Sequence, residues 1–242
     1  MRKSVILAAG KGTRMQSDLP KVVHKVCGRE MINRVLDVTK ACNVDRDIVV
    51  VGYKGDVVKE AIDRDVDFAV QTEQLGTGHA VKSAKDYIED DDVIVVLYGD
   101  SPLLKAETLN AMFKYFEDTN ADITLTTAVY DVPPAYGRII KDENGIIMRI
   151  VEQKDATEEE KLIKEVNIGF GIYKGKALKE SLEKLNNNNA AGEYYLTDVP
   201  EVAYKNGLKV NSFNLEDKTE GFGPNSKDDL AKAEEIWLSR QK

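Results

Sequence analysis

Three features of the sequence predict an α/β fold: a mostly parallel mixed sheet with helices on both faces and a β-rich second half. The first half alternates short β-branched runs with segments of helical period. Its strand runs are continuously apolar, as strands covered on both faces must be. The second half changes character, and strand patterns follow one another there.

In chain order, Ser4–Ala8 reads as a strand and leads into a long polar loop, Ala9–Lys21. Met31, Ile32, Val35 and Leu36 share one helical face. Ile48–Val51 is a second buried strand, and Val57, Val58, Ala61 and Ile62 mark a second helix. Phe68–Val70 is a short strand. Ala80, Val81, Ala84, Tyr87 and Ile88 mark a third helix, and Val93–Leu97 is the most apolar strand. Leu109, Met112, Phe113 and Phe116 then follow an i, i+3, i+4, i+7 pattern. Ligands of such sheets bind beyond the carboxyl ends of the strands, so chemistry is expected in the loops after Ala8, Val70 and Leu97.

In the second half, Ile123, Leu125, Thr127 and Val129 alternate as a half-buried strand does. Arg138–Lys141 and Ile146–Val151 flank Asp142–Gly145 and read as a hairpin, and Val166–Tyr173 is a further strand. Leu230, Ala233 and Trp237 mark a C-terminal helix, with Ser226 and Asp229 as a capping pair. Asn186–Asn189 reads as a loop, and the runs Asp90–Asp92 and Glu158–Glu160 read as solvated charge. No composition break or internal repeat divides the chain. Residues 1–226 are expected to be one domain and 227–242 its closing helix.

The chain has 242 residues, 42% of them hydrophobic and 31% charged, which is the balance of a globular protein. With 34 Lys+Arg against 42 Asp+Glu, its net charge is −8. That sign disfavours non-specific binding to nucleic acid or to an anionic membrane, while leaving room for a local phosphate-binding cluster. The longest strongly apolar run, Val93–Tyr98, falls far short of the ~20 residues of a membrane span. The N-terminal apolar stretch stops at Lys11, too short for a secretory signal. Two cysteines and two histidines, in no paired spacing, fit a reduced cytoplasmic protein without structural zinc.

The chemistry concentrates in a few segments. In the first loop, Leu7-Ala-Ala-Gly-Lys-Gly-Thr-Arg-Met-Gln-Ser-Asp-Leu-Pro-Lys21, Gly10 and Gly12 let backbone N–H groups approach an anion directly after a strand. Lys11, Arg14 and Lys21 add cationic side chains. Neither G-x-G-x-x-G nor the P-loop pattern fits, which disfavours a dinucleotide or ATPase site. Taken alone, the glycines serve equally well as an ordinary turn. Gln71 follows a strand, and its amide both donates and accepts, as a pyrimidine edge requires. Asp100, after Tyr98 and Gly99, ends the most buried strand and faces the ligand crevice.

The first loop resembles the signature of the sugar-1-phosphate nucleotidyltransferases. Gln71–His79, Tyr98–Asp100, Tyr136–Ile139, Val151–Ala156, Val166–Gly169 and Gly192–Asp198 follow in that family's order. Together they are similar to the members that make UDP-N-acetylglucosamine, over nearly the whole chain. The resemblance implies a Rossmann-like nucleotidyltransferase fold with a sugar-binding second half. It implies the reaction of UTP with N-acetylglucosamine-1-phosphate to give UDP-N-acetylglucosamine and pyrophosphate. It assigns Leu7, Ala8, Ala9, Gly10, Gln71, Gly76 and Thr77 to the nucleotide, and Gly137, Glu152, Asn167 and Thr197 to the sugar. Tyr98, Gly99, Asp100 and Asn225 are assigned to the substrates between them, with Mg²⁺ held by Asp100 and Asn225. Arg14 and Lys21 are the implied catalytic cations, Lys21 touching substrate as well.

Around Asn225 the chain departs from the family: Gly223-Pro-Asn-Ser-Lys227 lacks the usual aliphatic residue before the Asn and the Arg often found two residues after it. Asn225 can also serve there as a turn residue. Another sugar-1-phosphate or nucleotide, or binding without turnover, are the competing readings. The two histidines are expected to be structural. No hexapeptide repeat occurs, so neither acetyltransferase activity nor trimerisation through a β-helix is expected. Small-molecule substrates are the expected partners.

Overall fold

A computed structural model describes residues 1–241. Lys242, the last residue of the expected closing segment, lies outside the described residues. The strands are β1 (Arg2–Ala8), β2 (Lys25–Val26), β3 (Arg29–Glu30), β4 (Arg46–Val51), β5 (Asp67–Val70), β6 (Val93–Tyr98), β7 (Ile123–Val129), β8 (Arg138–Lys141), β9 (Ile147–Val151), β10 (Glu165–Lys174) and β11 (Val210–Asn214). The helices are α1 (Met31–Ala41), α2 (Gly55–Ala61), α3 (Thr77–Lys82), α4 (Ala106–Thr119), α5 (Glu158–Lys161), α6 (Gly175–Leu182), α7 (Val199–Lys205) and α8 (Lys227–Ser239).

The main sheet runs β11-β7-β10-β6-β1-β4-β5, with the β8–β9 hairpin attached to β10. β6, β1, β4 and β5 are parallel neighbours. β10 runs antiparallel to both β6 and β7. The sheet is thus mixed, and β10 is the strand that joins its two halves.

Why the first-half strands are continuously apolar is visible in β1. Ile6 and Ala8 pack with residues of α1, α2 and α4, including Leu36, Val58 and Phe113. Val5 and Leu7 face the opposite core with residues of α3, α6 and α7, including Val81, Leu178 and Ala203. Both strand faces therefore bury apolar side chains. A third, smaller cluster docks α8 on the β2–β3 hairpin through Val26, Met31, Leu103 and Ala233. The Arg34 guanidinium lies 3.8 Å from the centre of the Trp237 ring. Among the described residues, no helix is long and apolar enough to cross a membrane.

Four expectations need correction. β7 is not half-buried: Thr124, Thr126 and Thr127 are fully covered along with Ile123 and Leu125. It lies inside the sheet between β10 and β11, and two of its hydroxyls find partners, the half-buried Asn211 Oδ1 and the buried Met112 Sδ. The third helix is split, α3 ending at Lys82 and a 3₁₀ turn following at Lys85–Tyr87. Ser83 turns its hydroxyl back onto the His79 carbonyl, and Tyr87 leaves the apolar face to donate to the Phe68 carbonyl. Asp92 is not solvated; it is buried and pairs with Lys3 and the N-terminal ammonium. Of Glu158–Glu160, Glu158 and Glu159 are exposed as expected, and only Glu160 departs, closing a capping box with Thr157 and pairing with Arg149.

Candidate active site

The carboxyl ends of β1, β5 and β6 open on one cleft with two compartments. The first, of about 270 Å³, is lined by Leu7, Ala8, Ala9, Gly10, Gln71 and Gly76, among others. The second, of about 440 Å³, is lined by Arg14, Gly137, Glu152, Asn167, Thr197 and Asn225, among others. Lys21, Thr77, Tyr98, Asp100 and Glu193 line both.

Two residues of the first loop are held open by backbone geometry. Gly12 has φ of +61°, and a Cβ there would come within 2.6 Å of the Lys21 Cβ. Gly10 has no heavy atom within 4 Å of where its Cβ would stand, which leaves its backbone open to a ligand. Lys11 lies outside the cleft lining, over the Tyr53 ring at 5.9 Å. Arg14 is exposed at the rim of the second compartment.

Gln71 stands at the end of β5, is only 4% exposed, and donates from Nε2 to the Gly76 carbonyl at 3.1 Å. The Gly76 segment is clamped by Tyr194, which donates to the Leu75 carbonyl and accepts from the Gly78 amide, both at 2.8 Å. With φ of +112° at Gly76, a Cβ would sit 2.5 Å from the Tyr194 carbonyl oxygen. Thr77 accepts from the Leu196 amide through its hydroxyl.

At the junction, the Lys21 ammonium pairs with Asp100 and donates to Asn225 Oδ1 at 2.7 Å. A carboxylate and an amide oxygen thus converge on one cation. Asn225 is held by its own Nδ2, which donates to the Gly223 carbonyl, and by its backbone N–H, which donates to Asp229 Oδ2. Tyr98 packs beside Gly169 on β10. Burial pushes its phenol pKa up, with Glu152 and Asp100 adding to the effect, so Tyr98 stays neutral between the two carboxylates.

In the second compartment, Thr197 donates to Glu152 Oε1 at 2.8 Å. Asn167 Oδ1 accepts from the Gly169 amide, and the Gly137 carbonyl accepts from the Asn167 amide. A Cβ on Gly137 would collide with Ile150.

Of the expected site residues, only Gly99 lies outside the lining. It faces inward, where a Cβ would meet Ile32 at 2.8 Å, and its amide donates to the Leu7 carbonyl. Conversely, Glu193, Tyr195 and Tyr136, which fall inside the matched segments Gly192–Asp198 and Tyr136–Ile139 without a role of their own, line the cleft. A signal for the first two exists. In the segment ahead of the Leu196–Asp198 turn, Glu193 and Tyr195 share one side, while Leu196 is buried in the core. His79 also has a place at the site, with Nδ1 lying 3.1 Å from Gln71 Nε2.

A group of three or more His, Cys, Asp or Glu side chains able to hold a metal is not found among the described residues. A cation at Asp100 and Asn225 would therefore take its other ligands from substrate oxygens and water. Two hard oxygen donors already gathered around an ammonium suit a hard divalent cation.

Comparison with known proteins places this geometry in context. The chain is 52% identical over 238 residues to the bifunctional protein GlmU of Clostridioides difficile (strain 630), covering 98% of this chain and 52% of that protein. It is 51% identical to the bifunctional protein GlmU of Fervidobacterium nodosum, covering 98% of this chain and 51% of the relative. The chain thus spans about half the length of the curated relatives it matches. A solved nucleotidyl transferase from Methanothermobacter thermautotroptrophicus shares the fold, with a TM-score of 0.68, 16% identity and 99% coverage of both chains. The model of the MobA-like NTP transferase domain matches residues 4–164, about two thirds of the sequence, and the chain belongs to that family.

Proposed function

We propose that this chain is a uridylyltransferase that joins UTP and N-acetylglucosamine-1-phosphate, forming UDP-N-acetylglucosamine and releasing pyrophosphate. The observation that carries the reading is the meeting of Lys21, Asp100 and Asn225 where the two compartments join. The first compartment takes the nucleoside on Gln71, Gly76 and the backbone of Leu7–Gly10. The second takes the sugar on Gly137, Glu152, Asn167 and Thr197. Residues 1–226 form the catalytic unit, and the closing helix from 227 fixes Asn225 at its entrance.

An oxygen of the sugar phosphate attacks the α-phosphorus of UTP, a new P–O bond forms, and the bond to pyrophosphate breaks. The attacking phosphate is already ionised at neutral pH, so no side chain has to take its proton. What the protein must supply is charge relief between two polyanions. Arg14, Lys21 and the amides of the glycine loop supply it. Mg²⁺ on Asp100 and Asn225 would orient and neutralise the phosphates. Two unpaired cysteines fit a reducing compartment, and we place the reaction in the cytoplasm.

The test is pyrophosphate release from a panel of UTP, dTTP and CTP, each with N-acetylglucosamine-1-phosphate or glucose-1-phosphate. UTP with N-acetylglucosamine-1-phosphate is expected to turn over fastest. Preference for another pair would reassign the substrates, and binding without release would overturn the reaction. Lys21→Ala is expected to lower kcat by roughly 10²–10³, as loss of a preorganised electrostatic group does.

A further inference from the structure

We propose that His79 is a positioning residue that locks the Gln71 amide in one orientation, so that the site accepts the imide edge of uracil or thymine and rejects cytosine. The inference rests on the reading of the first compartment as the base site. Gln71 Nε2 has two hydrogens and two neighbours, the Gly76 carbonyl at 3.1 Å and His79 Nδ1 at 3.1 Å. A carbonyl oxygen only accepts, so the NH₂ end of the amide must face it. The second N–H then points to His79 Nδ1, which accepts only if the imidazole is neutral and carries its proton on Nε2.

This leaves two groups for a ligand. Among the described residues nothing donates to Gln71 Oε1, and the Gly76 backbone N–H has no acceptor. Gln71 and Gly76 both line the first compartment. The pair is one acceptor and one donor. Uracil and thymine present the complement, an N3–H donor flanked by carbonyl acceptors. Cytosine presents an acceptor at N3 and a donor at N4, the reverse. To pair with cytosine the amide would have to flip. Its oxygen would then face the Gly76 carbonyl, which can only accept, and His79 would have to shift its proton from Nε2 to Nδ1, in a site where Gln71 is 4% exposed. Buried polar groups left unpaired carry strong discrimination, far more than shape alone provides. The Gly76 carbonyl already receives the Ala80 amide as well, so His79 is the side-chain half of the lock.

The experiment measures UTP and CTP affinity by calorimetry, and kcat/KM for both, in the wild type, His79→Leu, His79→Asn and Gln71→Leu. Asn places an acceptor near the position of Nδ1, and Leu does not. His79→Leu is expected to lower the UTP-to-CTP ratio at least tenfold, mainly through KM for UTP, and His79→Asn to restore it to within about threefold of wild type. A purely structural His79 would lower the melting temperature of His79→Leu and leave the ratio unchanged, which overturns the lock. An unchanged ratio in Gln71→Leu would instead overturn the base-site reading itself. If His79→Leu does not fold, ¹⁵N resonances of the imidazole rings in the intact protein decide. The chain has 2 histidines, so a His24→Gln spectrum assigns them. An Nε2–H tautomer with a bare Nδ1 at His79 supports the lock, and an Nδ1–H tautomer overturns it.

Discussion

Lys21 bonds to the same two oxygens that would hold a divalent cation, the carboxylate of Asp100 and the amide oxygen of Asn225. Its side chain is 13% exposed, so water screens these contacts little. A cation can reach that pair only as the ammonium leaves it for the phosphates. Lys21→Ala should therefore tighten Mn²⁺ binding to the substrate-free protein even as it slows turnover. Electron paramagnetic resonance titration with Mn²⁺ reads this directly, and equal or weaker binding would count against the arrangement. Asp198 makes a second prediction at this scale. Burial, with Glu201, Glu152 and Asp155 nearby, pushes its carboxyl pKa up to about 6. Between roughly pH 4 and 6 the folded chain keeps a proton that the unfolded chain has released. The stability this group contributes is present below about pH 4 and is lost as the pH rises through about 6. Asp198→Asn should thus raise the thermal midpoint at pH 7.5, by a gain on the order of 1 kcal/mol once solvent screening is counted. At pH 3.5 the variant and wild type should melt together; a gain of equal size there would exclude titration as its origin.

Asn225 depends on an element as well as on its own contacts. Its amide donates to Asp229 in the first turn of α8, and the Asp229 amide donates to the Ser226 hydroxyl. The helix entrance thus fixes a residue of the cleft. Ser226→Ala removes an N-cap acceptor and should cost about 1 kcal/mol by denaturant titration. Because α8 docks on the β2–β3 hairpin, local fraying should also weaken Mn²⁺ binding at Asn225; a stability loss with no change in binding would separate cap from site. The Ser226–Asp229 cap was legible from residue types alone, because capping is a local preference. The split after α3 was not. The apolar spacing from Ala80 to Ile88 continues through it, and what breaks the helix is tertiary: the Tyr87 hydroxyl reaching the Phe68 carbonyl on β5. β7 was misread for a related reason. Its threonines imitate a polar face, yet all three are covered, and Thr124 and Thr126 bond to β11 and α4 while the Thr127 hydroxyl stays buried without a partner.

Across the whole molecule, what the sequence reveals about the cleft follows the reach of each interaction. Gly10, Gln71 and Asp100 could be placed on the cleft because each follows the carboxyl end of a parallel strand. The bond between Lys21 and Asn225 spans 204 positions and has no local signature. Gly99 stands apart from the lining, and a glycine before Asp100 also serves close packing against Ile32. Glu193 and Tyr195 lie in the matched segment Gly192–Asp198, but their place on the cleft is not visible until the extended geometry of that segment is known. The two-compartment layout itself yields a prediction. Because among the described residues only Lys21, Thr77, Tyr98, Asp100 and Glu193 border both compartments, each substrate should leave its own imprint on the backbone. In hydrogen–deuterium exchange, UTP should slow exchange in residues 7–12 and 71–77 and leave residues 167–169 and 195–197 nearly unchanged. UDP-N-acetylglucosamine should slow both sets, since its sugar crosses the junction. The first compartment is anchored on β1 and β5, and the second on β10 and on the segment before α7, so their amides report independently. Equal protection of both sets by UTP alone would mean that the compartments close as one body and would refute the division of labour between them.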